Sequence, residues 1–395
     1  MNVRLNPILL AAALAAQLVL AQGPLAPSGA PAPMMKTLTQ VEPRTAITNV
    51  PYTISQPGSY YLATNVVSAA AGVTIATNWV TLDLMGFTLA GNRSGGGHGV
   101  WIYSGGGTVP VLGVTVRNGN VRGFSYGIQA KFSRGARFEH LSVSSNLNYG
   151  INLDGLGGAC DGNAIAGCSF TGNGLAAIHL DGSSGQCNGN RISHCAIAGN
   201  NSDGIGFYAL SGQCSGNLIA DCALQQNGRY GIDFNGGTGQ CNGNLILRCV
   251  IGDSVDSGIY LMGDDGQCNG NRLADCTLGG NDKGIEFYLS SASGQCDGNA
   301  IVGCTVGESA DVGIDLGYAD GNRVEGNHVA SHAAGATTGI DTTTTQSNLF
   351  LRNFCAGHVF DFMPNANDTY GPAVTNSGEL AIGGAAFHPW ANFTR

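Results

Sequence analysis

The sequence predicts an all-β solenoid, a parallel β-helix of about ten rungs with three short strands to a rung and capped ends. Three observations predict it. The pattern C-x-G-N-x-[IL]-x-x-C recurs from Cys160, Cys187, Cys214, Cys241, Cys268 and Cys296, in steps of 27, 27, 27, 27 and 28 residues. A Gly-Ile step recurs in phase with it at Gly127, Gly150, Gly204, Gly231, Gly258, Gly284, Gly313 and Gly339, with the variants Gly99-Val100 and Ala177-Ile178. Each unit holds three apolar pieces too short for helices, separated by Gly or Asn. A fixed period of this length means a stack of like units, each burying its apolar side only against its neighbours. Stacking at about 4.8 Å per rung gives a rod roughly 48 Å long.

Composition agrees. Of 395 residues, 11 % are charged and 43 % hydrophobic, the opposite of a disordered chain. The 63 glycines follow no collagen triplet and instead suggest many tight corners. A net charge of −9 argues against nucleic acid as a partner, since phosphate binding needs a basic face.

Residues 1–21 read as a signal peptide. Arg4 supplies the positive start, Ile8 to Leu20 the short apolar core, and Val19-Leu20-Ala21 the small-residue cleavage site. The alternative is an uncleaved anchor, for which the stretch is short. The expectation is a secreted protein, extracellular, periplasmic or on the cell surface, without a membrane span after signal removal. Residues 22–50 are a Pro/Ala-rich linker and polar lead-in. Residues 51–362 form the β-helix, where Val, Ile, Thr, Tyr and Leu alternate with polar residues. Residues 363–395 cap the open end, whose strand edges would otherwise pair with other chains. Asn163, Asn190, Asn217, Asn244, Asn271, Asn299, Asn322 and Asn348 share one slot. Stacked there, their amides bond along the column and tolerate left-handed corner geometry. A leucine-rich horseshoe is the rival fold, but the Gly/Ser-rich half-unit LDGSSGQCNGN is a poor helix.

The chain resembles secreted bacterial right-handed parallel β-helix proteins of the pectin-lyase-like type. PYTISQPGSYYLATNV, GVTIATNWVTLDLMGFTLAG, VTVRNGNVRGFSYGI and the N-x-I rungs carry the resemblance. GAPAPMMKTLTQVEPRTAI and HPWANF also resemble one bacterial subgroup. The resemblance covers nearly the whole mature chain and implies the fold. It implies little about activity, because this fold hosts many chemistries.

Each first cysteine is followed by a second, at Cys168, Cys195, Cys222, Cys249, Cys276 and Cys304. In the last two rungs the first slot becomes Ala319 and Thr345 and the second Asn327 and Asn353, so both are lost together. Disulfides within each rung explain this, and an oxidising compartment permits them. Disulfides between stacked rungs and buried unbonded thiols are the other readings. The spacing is wrong for zinc. Cys355 has no partner in this scheme, leaving it a free thiol or an intermolecular contact.

Outward positions repeat into surface columns. The residue after each Gly-Ile step reads Asn152, His179, Gly206, Asp233, Tyr260, Glu286, Asp315, Asp341, and two residues later Asp154, Asp181, Tyr208, Asn235, Met262, Tyr288. This polar strip is the expected working face. The positions after the first Asn column, Ala164, Arg191, Leu218, Leu245, Arg272 and Ala300, are neither acidic nor aromatic. On carbohydrate enzymes of this fold, aromatic faces stack on sugars and amides bond hydroxyls. Paired carboxylates act as acid and base or hold Ca2+ against a uronate.

Asp154, Asp181, Asp233 and His179 are the catalytic candidates. Asp154 and Asp181 lie on adjacent rungs, about 5 Å apart, and Asp181 and Asp233 about 10 Å apart. Asn152, Tyr208, Asn235, Tyr260, Glu286, Tyr288 and Asp315 are candidate glycan contacts, with Arg229 and Lys283 as a uronate clamp or lyase base. Against catalysis, an exposed sheet face is polar in any soluble solenoid. The N-T-D, R-I-K and D-P-H-E motifs of related enzymes are absent, and Gly97-His98-Gly99 stands alone upstream. The expectation is a secreted protein that binds polysaccharide along this face, as a non-catalytic surface or matrix protein or as a polysaccharide lyase or glycoside hydrolase. No resident cofactor is expected, with Ca2+ the one ion the carboxylates suit.

Overall fold

A computed structural model of the chain describes residues 42–93, 96–107, 109–291, 293–331, 335–342, 347–375 and 388–394. The signal and most of the lead-in, and Thr345, lie outside them. Every regular element among the described residues is a β-strand. One strand per rung builds a sheet of thirteen strands, from Tyr52–Ile54 to Phe360–Met363. Most of the other strands form a second, twenty-six-stranded sheet that turns a corner within each rung, and Val111–Leu112 pairs with Ser133–Arg134 as a separate two-stranded sheet. All ten expected rungs are present. The thirteen-stranded sheet adds three more, at Tyr52–Ile54, Val73–Ile75 and Phe360–Met363, which lack a Gly-Ile step.

Pairing is parallel and in register. Ile151, Ile178, Ile205, Ile232, Ile259 and Ile285 follow one another down one column. Leu153, Leu180, Phe207, Phe234, Leu261 and Phe287 do the same two residues on, and the rings of Phe207 and Phe234 stack at 4.6 Å. These side chains are buried, each contributing roughly 1.5–3 kcal/mol. The glycine of the Gly-Ile step answers crowding. A Cβ on Gly204 would stand 2.6 Å from the Gly231 carbonyl oxygen.

The asparagine column is a buried amide ladder. The Oδ1 atoms of Asn190, Asn217, Asn244 and Asn271 accept the backbone N–H of the preceding rung's Asn at 2.7–2.8 Å. A second ladder runs through Asn146, Asn173, Asn200 and Asn227. One expectation needs correction. The left-handed corner residue is the one before the ladder Asn, usually glycine, such as Gly189 (φ 63°) and Gly216 (φ 65°), but also Gln226 (φ 53°) and Ser347 (φ 63°), and not the Asn itself. Strand building also begins earlier than expected, since Thr45–Ile47 of the lead-in pairs with Tyr60–Leu62. In the tail, Thr369–Tyr370 and Asn392–Thr394 pair with Leu349–Phe350 and Phe354–Cys355.

No within-rung disulfide is present, and all thirteen cysteines are buried and unbonded in this structure. The two slots of one rung lie on opposite sides of a strand, so their sulfurs are not neighbours. Cys187 instead faces Cys160 and Cys214, and Cys222 faces Cys195 and Cys249. Cys355 is buried beside Val329 and Thr394, which excludes an intermolecular contact.

Replacing one ladder amide tests the register lock. Asn217→Ala orphans the Asn190 N–H and should lower stability by roughly 1–3 kcal/mol, read from the denaturant midpoint.

Candidate functional site

The strip after the Gly-Ile step faces outward but is not open. Asn152, His179, Asp233 and Tyr260 are all under 8 % exposed. The cover comes from the residue just before each Gly-Ile step, which leans on the strip residue one rung further along. Tyr149 stacks on His179 at 4.2 Å and 6°, and Tyr230 on Tyr260 at 4.3 Å and 6°. The expectation of aromatic faces free for sugars is therefore corrected. The rings spend their faces on each other and offer edges and hydroxyls, with Tyr288 the exposed exception.

Two small residues interrupt these columns and open a cleft of ≈ 330 Å³. Ala176 replaces a ring in the covering column, and Gly206 replaces a side chain between His179 and Asp233. Tyr149, His179, Asp181, Asp203 and Tyr208 line the cleft. The Tyr208 ring lies over Gly206, where an added Cβ would stand 2.8 Å from it. Its hydroxyl donates to Asp203 Oδ2 at 3.1 Å. The Tyr230 N–H reaches Asp203 Oδ1 at 3.4 Å.

Asp233 follows Gly206 in register one rung further on, buried outside the cleft lining. It is 1 % exposed, and neither carboxyl oxygen has a hydrogen-bond partner. Burial, reinforced by the Asp203 charge, pushes its pKa far above the carboxylate range, while nearby Tyr208 and Arg229 pull the other way. Burial also raises Asp203, against the donors Tyr208 and Tyr230 N–H and the Arg229 charge. Asp203 is thus the better hydrogen-bonded of two coupled carboxyls that are each 1 % exposed, and burial raises Asp233 the further of the two. Arg229 covers the Tyr230 ring at 4.4 Å and donates to its hydroxyl at 3.2 Å. Burial pushes His179 down to about 4, partly offset by Asp181, so it is neutral near pH 7.

The other candidates stand apart. Asp154 precedes Asp181 in register, but accepts from Gln129 Nε2 at 3.0 Å and the Leu156 N–H at 3.1 Å. Lys283 bridges Glu286 (2.7 Å) and Asp315 (2.8 Å) further along. These bonds raise its pKa against burial, so it is an ammonium and not a base. Asn235 leaves its Oδ1 unpartnered on the Asp233 strand. No three His, Cys, Asp or Glu side chains converge among the described residues. Sequence reading missed Asp203, Tyr149 and Tyr230, which occupy the slot before the Gly-Ile step. That slot reads Tyr126, Tyr149, Ala176, Asp203, Tyr230, and the lone carboxylate among rings was the available signal.

A family model described as right handed beta helix region matches residues 78–214, 126–296 and 206–356. The chain belongs to that family, and the fold is a right-handed parallel β-helix. No curated protein matches in sequence. Among solved structures it is similar to the catalytic domain of a GH87 alpha-1,3-glucanase in complex with nigerose, with TM-score 0.59 and 14 % identity, over 82 % of this chain and 62 % of that one. It is also similar to the A-module of the Azotobacter vinelandii mannuronan C-5 epimerase AlgE4, with TM-score 0.53 and 17 % identity, over 80 % and 83 %. A third is the Dettilon tailspike protein, with TM-score 0.52 and 16 % identity, over 78 % and 59 %. The chain spans less than two thirds of the glucanase domain. At these identities the likeness establishes the fold.

The burial of Asp233 has a signed consequence. The unfolded carboxyl ionises above 3.8 while the folded one stays protonated, so stability is lost as pH rises from 3.8 toward the folded value. Asp233→Asn should raise Tm by a few degrees at neutral pH and leave it unchanged near pH 3. His179 acts in the other direction, losing stability as pH falls from 6.5 toward about 4. His179→Gln should flatten that acid limb in pH-dependent melting curves.

Proposed function

We propose that this β-helix binds a neutral polysaccharide along the Gly-Ile sheet and hydrolyses a glycosidic bond in the cleft at Gly206. The carrying observation is Asp233, a carboxyl buried without a hydrogen-bond partner and raised in pKa by that burial, coupled to Asp203, which two donors serve. Glycan binding alone needs no such costly arrangement, whereas two carboxyls with separated pKa values suit acid and base roles. Asp233 gives its proton to the leaving glycosidic oxygen as the bond to the anomeric carbon breaks. Asp203 takes a proton from the water that adds to that carbon. Tyr208 holds Asp203 in place and swings aside to admit the sugar over Gly206. His179 and Asp181 accept sugar hydroxyls at the cleft wall.

The similar structures support a glycan as the partner, since they include a glucanase in complex with nigerose and a mannuronan epimerase. A uronate lyase is less well supported. Lys283 is tied up in ion pairs, and Arg229 is engaged with Tyr230 and Asp256. Export by residues 1–21 belongs to the same proposal, because a polysaccharide substrate lies outside the cell.

The second reading is a non-catalytic binder, favoured by the Tyr208 ring that covers Gly206. Purified protein incubated with α- and β-linked glucans and with uronate polymers decides between them. Hydrolysis predicts new reducing ends, lost at least 100-fold in both Asp203→Asn and Asp233→Asn with glycan retention intact. Retention without any reducing ends establishes the binder, and unsaturated products would establish a lyase.

A further inference from the structure

The twelve cysteines of the two columns take no part in the cleft, yet their arrangement is not that of small apolar filler. The first column continues as Ala319 and the second as the ladder residues Asn327 and Asn353, so neither slot demands sulfur. Sulfur nevertheless fills six consecutive rungs in both columns, starting and stopping together. We infer that the columns close as six disulfides between successive rungs. In the first column these are Cys160–Cys187, Cys214–Cys241 and Cys268–Cys296. In the second they are Cys168–Cys195, Cys222–Cys249 and Cys276–Cys304.

The backbone places these pairs. The Cys160 N–H donates to Gln186 O and the Cys187 N–H to Gln213 O, each at 2.8 Å, so successive cysteines stand one rung apart. In the second column the bonds Ala196 N–H to Cys168 O (3.0 Å) and Ala223 N–H to Cys195 O (2.9 Å) do the same. A rung step of about 4.8 Å lies within the Cα separation that disulfides span. Slots in one rung fail this test, because a whole strand such as Ala164–Ala166 separates Cys160 from Cys168.

Parity selects the register. A run of six pairs completely only when the end cysteine takes part; the shifted register strands two thiols in each column. Cys355, whose strand neighbours are Val329 and Thr394, remains a thiol. Each bond joins two thiols, releasing two protons and two electrons. A small disulfide such as oxidised glutathione takes them up and becomes two thiols. The sulfurs are at most 2 % exposed in the finished stack, so closure occurs while successive rungs are being laid down.

The full chain, refolded with oxidised glutathione, is denatured in alkylating reagent without reductant and weighed intact. One adduct is expected, at Cys355, against thirteen after reduction. Mapping of unreduced peptides should find Cys160 joined to Cys187. Thirteen adducts without reductant would overturn the inference, as would a Cys187–Cys195 link. Five adducts with a Cys187–Cys214 link would mark the shifted register and overturn the assignment. In Cys214→Ser one further thiol should appear, at Cys241. Should that variant not fold, the adduct count and map of the unaltered chain decide alone.

Discussion

The buried amide ladder is the constraint on which this molecule depends. Each rung offers its neighbours peptide N–H and C=O groups, and a shift of one residue would turn every apolar side chain outward. Backbone pairing alone would permit such slips along a three-residue strand. The asparagines prevent them. Asn190 binds both the backbone N–H and the side-chain amide of Asn163, so a shifted rung would leave buried amides unpaired on both rungs. The register of the chain is thus specified at the corners, while the strands supply burial. That division leaves outward strand positions free to vary.

The cleft arises from that freedom. Where rings occupy the slot before the Gly-Ile step, each leans on the next rung and covers the strip, as Tyr149 covers His179. Ala176 and Gly206 remove that cover and leave a hollow without moving the backbone. The pair of carboxyls is then differentiated by donors. Asp203 receives the Tyr208 hydroxyl and the Tyr230 N–H, while Asp233 receives neither. Burial raises both carboxyls, and the donors on Asp203 oppose that rise more than anything reaching Asp233 does. A regular scaffold creates the asymmetry by omission of two side chains.

Much of the fold was legible because it repeats. The 27-residue period and the Gly-Ile step located ten rungs, and the Asn column marked the corner. The rungs at Tyr52–Ile54 and Phe360–Met363 escaped because each breaks the Gly-Ile rule, while the Val73–Ile75 rung carries the Gly-Val variant, Gly72-Val73, and was passed over. The strip itself was legible as columns, but its burial was not. Strand alternation tells which side a residue faces, whereas the Tyr149–His179 and Tyr230–Tyr260 contacts run diagonally between rungs. Asp203 was missed for a related reason, since it lies before the step that set the phase of reading. The cysteines posed a harder problem. Loss of both slots in the same rungs fits bonds within a rung and bonds between rungs equally well. Only the three-dimensional separation of the two slots distinguishes them.

The unsatisfied polar atoms separate scaffold from site. In the ladders the unpartnered amide atoms are donors: Asn227, Asn271, Asn299 and Asn322 each leave Nδ2 without a partner. On the Gly-Ile sheet they are chiefly acceptors, comprising Asn152 Oδ1, His179 Nδ1, Asn235 Oδ1 and the Asp233 carboxyl. An N–H left over by imperfect stacking has a structural origin. A row of acceptors along one outward face, spaced by rungs and sheltered from bulk water, has no such origin. It calls for a ligand that brings many donors in a line. Neutral His179 adds a nitrogen that accepts, while Trp101 Nε1, in the same column, is an unpartnered donor, and burial raises the Asp233 carboxyl toward its protonated, donating form. Hydroxyls of a sugar chain supply donors at every residue, and the glycosidic oxygen is the acceptor that a single protonated carboxyl would serve. The complementarity lies between a row of acceptors with one acid and a polymer of hydroxyls with one bridging oxygen per unit.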